Sequence, residues 1–308
     1  MIIVNNVKIP LTADFGNLRG CAAAALKVKD SDVISASLYR KSVDARHKND
    51  VHFCCSLSVN VKNEDSVLKK AKNAAKLKEN VYVWKRCEKK PSARPVVVGF
   101  GPAGMFAALA LARAGLEPAV LERGKDADSR TRDVKAFFAG GKLDCNSNVQ
   151  FGEGGAGTFS DGKLNTGIKD YRCRAVLEEF VKHGAPQSIL TDSKPHIGTD
   201  ILVNVVKSIR EEVIRLGGTV RFSERLTGIK IINGRVAAAQ TENTEIPCGE
   251  IILATGHSAR DVYSFLSESG ICMERKPFSV GVRIEHLQRD ISRALYGDFA
   301  DSPALGAA

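Results

Sequence analysis

The sequence predicts an α/β protein in two unequal parts, a small basic α+β unit over residues 1–90 and a larger unit built on a parallel sheet over residues 91–308. Three observations predict it. "VVVGF", from Val96, is a continuous β-branched run of the kind buried on both faces of a sheet. The Ala/Leu-rich "GPAGMFAALALARAG" and a second strand, "EPAVLERG", follow it and complete a β-α-β unit long enough for a parallel crossover. Upstream, strand and helix periods alternate over some eighty residues, and a polar segment from Lys85 to Pro95, "KRCEKKPSARP", separates the two parts.

The elements follow in order. "MIIVNNVKI" alternates as a strand, "NLRGCAAAALKV" has helical spacing, and "VISASLYRKSV" and "VHFCCSLSVNV" are β-rich. "EDSVLKKAKNAAKLK" reads as a Lys-faced amphipathic helix and "VYVW" as a short strand. The order β-α-β-β-α-β is that of a ferredoxin-like split βαβ unit. Beyond the hinge, "HIGTDILVNVVKSIREEVIRLGG" is an amphipathic helix closed by glycines. "TVRFSERLTGIKIINGRVAAAQT" carries short strands with a hairpin turn at Asn233-Gly234. "GEIILATG" reads as another strand buried on both faces, and "FSVGVRIEH" alternates as a strand that needs a partner.

Composition narrows the class. At 308 residues, 44% apolar and 26% charged, the chain is sized and balanced for a globular fold with a buried core. No apolar run approaches the ~20 residues of a membrane span, and the start lacks the basic and long apolar regions of a signal peptide. The eight cysteines form no C-x-x-C pair and no zinc-ligand cluster, so no metal is expected and a reducing, cytoplasmic setting is. Adjacent Cys54 and Cys55 lie in an apolar run and read as buried thiols. The net charge of +10 lies wholly between Met1 and Arg94, where 19 Lys and Arg face 9 Asp and Glu. This asymmetry allows an anionic partner such as nucleic acid, although Lys-rich solvated helices are its commoner cause. The third strand lacks the aromatic pattern of an RNA-recognition motif.

Two stretches fit the spelling G-x-G-x-x-G. In the first, Gly99, Gly101 and Gly104 stand between a strand and a helix. The first glycine makes the tight turn, the second admits a pyrophosphate to backbone amides, and the third lets helix pack on strand. Pro102 and Ala103 complete that turn. Glu122, 21 residues past Gly101 at the end of the next strand and followed by Arg123, is placed to accept adenosine ribose hydroxyls. These features predict a Rossmann-like dinucleotide-binding unit. The second triplet, Gly152, Gly154 and Gly157 in "NVQFGEGGAGTFSDGKLN", fails the same test: what precedes is too polar for a buried strand, and "TFSDGKLN" is no helix. It reads as a loop that approaches a flat ligand, with Gly155, Gly157 and Thr158 offering amides and Lys163 a positive charge. A third element, Ala254, Thr255 and Gly256 at a strand end, brings small residues against a cofactor.

Together these three elements resemble the glutathione-reductase-type FAD fold, in which they occur in this order. Five stretches carry a closer resemblance: "VVVGFGPAGMFAALALARAG", "NVQFGEGGAGTFSDGKLNTGIKD", "KPHIGTDILVNVVKSIREEV", "ILATGHSARDVYSFL" and "KPFSVGVRIEH". With "RKSVDARHK" at Arg40, they are similar to the bacterial family described as NAD(FAD)-utilizing dehydrogenases, or FAD-dependent proteins of unassigned substrate. The resemblance implies one FAD in a Rossmann-like FAD/NAD(P)-binding domain, with a basic leading domain. It also implies a chain incomplete at its C-terminus, because that family continues past "SPALGAA" to a final glycine-rich FAD contact.

In a flavoenzyme the protein supplies orientation, a proton source and charge near the ring. Lys163 is the leading candidate, a cation in a glycine loop. His196 is a candidate proton donor or a helix-start residue, His257 follows the ATG turn, and Arg283 neutralises an anionic ligand or pairs with Glu285. The expected activity is an FAD-dependent oxidoreductase on a small molecule, with NAD(P)H as a transient electron donor. Two alternatives stand beside it: an RNA-modifying or RNA-binding flavoprotein, and an FAD-stabilised interaction protein without turnover.

Overall fold

The structure is a computed structural model that describes every residue except 79, 80, 161, 307 and 308. Its first part comprises β1 (Ile2–Ile9), α1 (Arg19–Leu26), β2 (Val33–Asp44), β3 (His52–Val61), α2 (Glu64–Lys70) and β4 (Ala74–Lys76). The strands form an antiparallel sheet in the order β2-β3-β1-β4. Every second residue of β3 from Phe53 to Val61 is buried, as a strand with one face on a core requires, and α1 adds Ala22, Ala23 and Leu26 to that core.

Two elements differ from the sequence reading. The Lys-faced helix stops at Lys70 rather than running on to Lys78, and Ala74–Lys76 pair with Ile2, Ile3 and Val4 of β1. The fourth strand therefore lies inside the stretch read as helix, and 81–84, "VYVW", is not a strand. Alanine and lysine favour helix by only tenths of a kcal/mol, roughly, over strand formers. Pairing an open edge of β1 satisfies backbone groups that would otherwise lack partners.

The second part comprises β5 (Val96–Val98), α3 (Pro102–Arg113), β6 (Ala119–Leu121), α4 (Ala127–Phe138), α5 (Arg172–Lys182), α6 (Thr199–Arg215), β7 (Thr219–Arg221), β8 (Leu226–Ile232), β9 (Arg235–Thr241), β10 (Glu245–Pro247), β11 (Ile251–Leu253), α7 (Arg260–Glu268) and α8 (Gln288–Tyr296). β11, β5, β6 and β7 form a parallel sheet in that order. Its two faces separate by the two-residue period: Val97 and Val120 pack against α3 and α6, while Val96, Val98 and Leu121 pack against Leu226 and Ala239 of the antiparallel β8-β9-β10 sheet. The result is a three-layer α/β unit of the Rossmann type. The β8–β9 turn holds Asn233 at φ 51° and Gly234 at φ 73°, both left-handed, which is the geometry the Asn-Gly pair favours.

Two further strand readings change. β11 lies at the sheet edge and leaves Ile252 and Leu253 partly exposed, so it is not buried on both faces. "FSVGVRIEH" has no regular structure: Phe278, Val280, Val282 and Ile284 stand exposed on a segment without a ladder. An alternating pattern makes a strand only where a neighbouring strand takes up its N–H and C=O groups.

Candidate functional site

The carboxyl ends of β5, β6 and β11 open into a cleft of about 610 Å³. Its floor is the first glycine loop. Gly99 sits at φ +94°, and a Cβ there would lie 2.4 Å from the Ala254 carbonyl oxygen; one on Gly104 would lie 1.8 Å from the Gly99 oxygen. Both positions exclude any side chain, which lets β5 turn directly into α3 and pack beside β11. Gly101 caps α3 without a side-chain bond, and Pro102 takes the first helical position. The first-turn N–H groups at Ala103 and Gly104 have no partner within the helix and sit at its positive end, a ready anion site.

Glu122 plays a second part beyond the ribose role read from its spacing. It is 4% exposed, and its carboxylate accepts three backbone N–H groups: Phe100 at 2.7 Å on Oε2, and Gly124 at 2.9 Å and Gly152 at 3.0 Å on Oε1. The acid thus clamps the first glycine loop, its own turn and the second glycine loop together. A carboxylate offers about four lone-pair sites, so one remains for a hydroxyl.

The second glycine loop lies directly on the first. Gly154 N donates to Phe100 O at 2.8 Å, and a Cβ on Gly155 would stand 3.0 Å from Gly101 Cα. Residues Gly155–Phe159 form a short 3₁₀ turn rather than an α-helix. The loop is organised from behind by Arg130 of α4, fully buried, whose guanidinium donates to Asn148 O at 2.9 Å, Val149 O at 2.9 Å and Glu153 O at 2.7 Å, and lies 4.7 Å from the Phe159 ring centre. Burial pushes the Arg130 guanidinium down to about 10, which still leaves it cationic at neutral pH. Glu153, also fully buried, accepts from Ala127 N at 2.7 Å and Arg210 at 2.8 Å. Burial raises its pKa. Sequence reasoning missed both residues. The only local signal was Asp126, whose Oδ1 accepts from Asp128 N and Ser129 N at 3.1 Å and marks the start of α4.

The remaining candidates fall into two groups. Gly99, Gly101, Pro102, Ala103, Glu122 and Arg123 line the cleft, and so do Gly155, Gly157, Ala254, Thr255, Gly256 and His257. Arg123 pairs with Asp261 at 2.5 Å and stacks 4.4 Å over Phe151. Ser258 donates to Gln150 at 3.1 Å beside His257, and Tyr263 donates to Gly256 O at 3.2 Å, closing the third wall. Gly104 and Thr158 do not line the cleft: Gly104 packs under Gly99, and buried Thr158 turns its hydroxyl to the Glu153 carbonyl. Lys163 and His196 are brought together as an antiparallel bridge, exposed and outside the cleft lining. Arg283 is 88% exposed and pairs with Glu285 at 3.0 Å, also outside it.

At the far end of α3 lies an ionic cluster that the sequence did not announce. Arg113 donates to Glu179 through two nitrogens at 2.6 Å and to Glu212 at 2.8 and 3.0 Å; Lys182 reaches Glu212 at 3.2 Å. His183 is buried among them, with Nδ1 on Ser208 Oγ at 2.9 Å and Nε2 3.0 Å from Glu212. Glu179, His183 and Glu212 have the spacing of metal ligands, but Arg113 and Lys182 already neutralise both carboxylates. Burial lowers the His183 pKa, outweighing the two carboxylates that raise it; Lys182 and Arg113 add to the lowering. The native protein then binds fewer protons here than the unfolded chain, so this stability is present above about pH 6.5 and lost as pH falls below it. The thermal midpoint is expected to fall more steeply between about pH 7 and 5 in wild type than in His183→Gln. Parallel curves would refute this.

The family of FAD binding domains matches residues 94–157, which span both glycine loops, and a domain family of unknown function, DUF8436, matches residues 1–61. The chain is 44% identical over 311 residues to an uncharacterized protein of Clostridium beijerinckii, covering 100% of this chain and 58% of that protein. Solved structures similar in part include THI4 of Thermovibrio ammonificans, at 21% identity and TM-score 0.38 over 58% of this chain and 64% of that one. Another is the L-proline dehydrogenase from P. horikoshii, at 15% identity and TM-score 0.34 over 60% and 58%. The cradle of glycines that no side chain can replace, the open start of α3 and the acid at the end of β6 all suit a dinucleotide. Residues 94–157 match the FAD binding domain family, and FAD is the cofactor that this match and the glycine cradle support.

Proposed function

We propose that the protein is an FAD-dependent oxidoreductase acting on a small molecule, in a reducing, cytoplasmic setting. The observation that carries this reading is the cleft itself, walled by two glycine loops and the Ala254–Ser258 turn and clamped by Glu122. FAD supplies hydride or electron transfer when bound. The chain's own residues would hold it: the start of α3 would take the pyrophosphate, Glu122 would offer its remaining lone pair to a ribose hydroxyl, and Gly155 and Gly157 would allow close approach by a planar ring. His257, on the third wall, is a side chain that would hold a proton beside the ligand. NAD(P)H is the proposed transient donor. Among the described residues only the first glycine loop has the strand–turn–helix setting, so this donor would bind without a nucleotide domain of its own in this chain.

The test is to release the bound ligand from purified protein and identify it by mass, then to add NADH or NADPH without oxygen and follow bleaching of the flavin absorbance. FAD together with bleaching supports the reading; FMN alone, or no flavin in any preparation, sinks it. Gly101→Val separates binding from folding. Gly101 has an ordinary backbone, φ −74°, and a Cβ there would meet Gly155 Cα at 3.6 Å and N at 4.0 Å, ordinary van der Waals contacts, so the fold should tolerate the change. The added methyl groups would occupy the pyrophosphate space. Flavin retention is expected to fall at least about tenfold with the cofactor-free thermal midpoint nearly unchanged.

A further inference from the structure

A second cavity, of about 540 Å³, lies between the segment Val81–Lys85, Ala110 and Leu111 in the last turn of α3, and the start of α5. Three aromatic side chains shape it. The Tyr82 ring centre is 5.0 Å from that of Trp84 at 89°, and 6.2 Å from that of Tyr171. Trp84 is fixed from behind, with the Arg113 guanidinium 4.5 Å from its ring centre and the main core beneath it. Tyr171 is 49% exposed, so part of it is open to solvent. Tyr82 Oη, Tyr171 Oη and Trp84 Nε1 have no hydrogen-bond partner among the described residues.

The net charge at this cavity comes from Lys85, since Arg172 is ion-paired with Asp170. Lys85 lines it with no ion-pair partner among the described residues. Arg172 lines it as well and spends Nε and Nη2 on Asp170, at 2.9 and 2.7 Å, which leaves Nη1 unused. The segment that supplies Val81–Lys85 belongs to the first 94 residues, which hold the whole +10 of the chain. Fixed rings with an opening at Tyr171, unengaged polar edges and flanking cations fit a flat ring that carries a phosphate. An apolar peptide would use the rings and leave the cations idle.

We propose that this cavity is a nucleotide-binding site, separate from the FAD cleft, in which a nucleobase stacks on Tyr82 and Tyr171 and the attached phosphate faces Lys85 and Arg172. Its volume falls within the roughly 300–1,000 Å³ of small-molecule sites. The base contributes stacking that tolerates any sequence, and the phosphate contributes attraction that salt weakens.

The experiment uses the full chain saturated with FAD, so that the first cleft is filled, and titrates it separately with AMP and with a labelled short oligouridylate, each at low and raised salt. Binding of at least one is expected, weaker at raised salt. Tyr171→Ala is expected to weaken it roughly tenfold or more, Tyr171→Phe to retain it, and Lys85→Glu to abolish most of it. Flavin content should be unchanged in all three. Binding of AMP identifies a free nucleotide as the ligand; binding of oligouridylate without AMP identifies a single strand. No binding of either, or equal affinity of wild type and Tyr171→Ala with flavin intact, overturns the proposal.

Discussion

Glu122→Ala is expected to destabilise the protein even when no flavin is present. The side chain lies 4% exposed between three backbone N–H groups, those of Phe100, Gly124 and Gly152, at 2.7–3.0 Å. Removing it leaves three buried donors unpaired. Each unsatisfied donor costs about 1–3 kcal/mol, so the loss is about 4 kcal/mol after partial relaxation, a large share of an ordinary domain's stability. Glu122→Gln is only a partial rescue, because its NH₂ group would turn a donor towards amides that are themselves donors. The check is the urea midpoint of cofactor-free protein. If Glu122 served the ribose alone, both variants would unfold where wild type does and lose only flavin.

Arg130→Met is expected to release the second glycine loop. A fully buried guanidinium holds three carbonyls of the stretch 148–153, and Gly152, at φ +122°, lies so close that a Cβ there would come within 2.4 Å of Arg130 Cδ. Methionine fills the stem's space but leaves three buried acceptors without donors, a loss of about 3 kcal/mol. Arg130→Lys keeps the charge, yet a point-like ammonium cannot reproduce a planar fork, and about half of the loss is expected to remain. Hydrogen exchange across residues 148–159 is the readout, together with flavin retention. Fast exchange there with an intact first sheet is expected. Unchanged exchange would show that the loop holds itself.

The β5-α3-β6 unit was legible in the sequence because every cue agreed. A β-branched run is buried, a glycine is needed where no Cβ fits, and an acid ends the next strand. The Asn233-Gly234 hairpin was legible for the same reason, since its two left-handed residues are set by local chemistry alone. The ranking of Lys163, His196 and Arg283 beside the cofactor was not recoverable from motif position. Nearness along the chain to a glycine loop does not say which way a connection leaves it, and all three lie outside the cleft lining.

What the sequence by itself determined is the set of positions whose local geometry admits one residue type: Gly99, Gly104 and the β5–α3 turn, and with them an FAD-binding domain. The tertiary structure decided what depends on partners distant in the chain. Ala74–Lys76 became a strand because β1 offered an open edge, and the alternating segment around Val280 is irregular, pairing with no strand among the described residues. Glu122 became a clamp because Gly152, thirty residues on, returned to it, and Arg130 became a core residue because three carbonyls converged on it. Backbone hydrogen bonds within a few residues follow from residue type. Those that close across the fold are settled only when packing brings donor and acceptor together, and both glycine loops depend on such bonds.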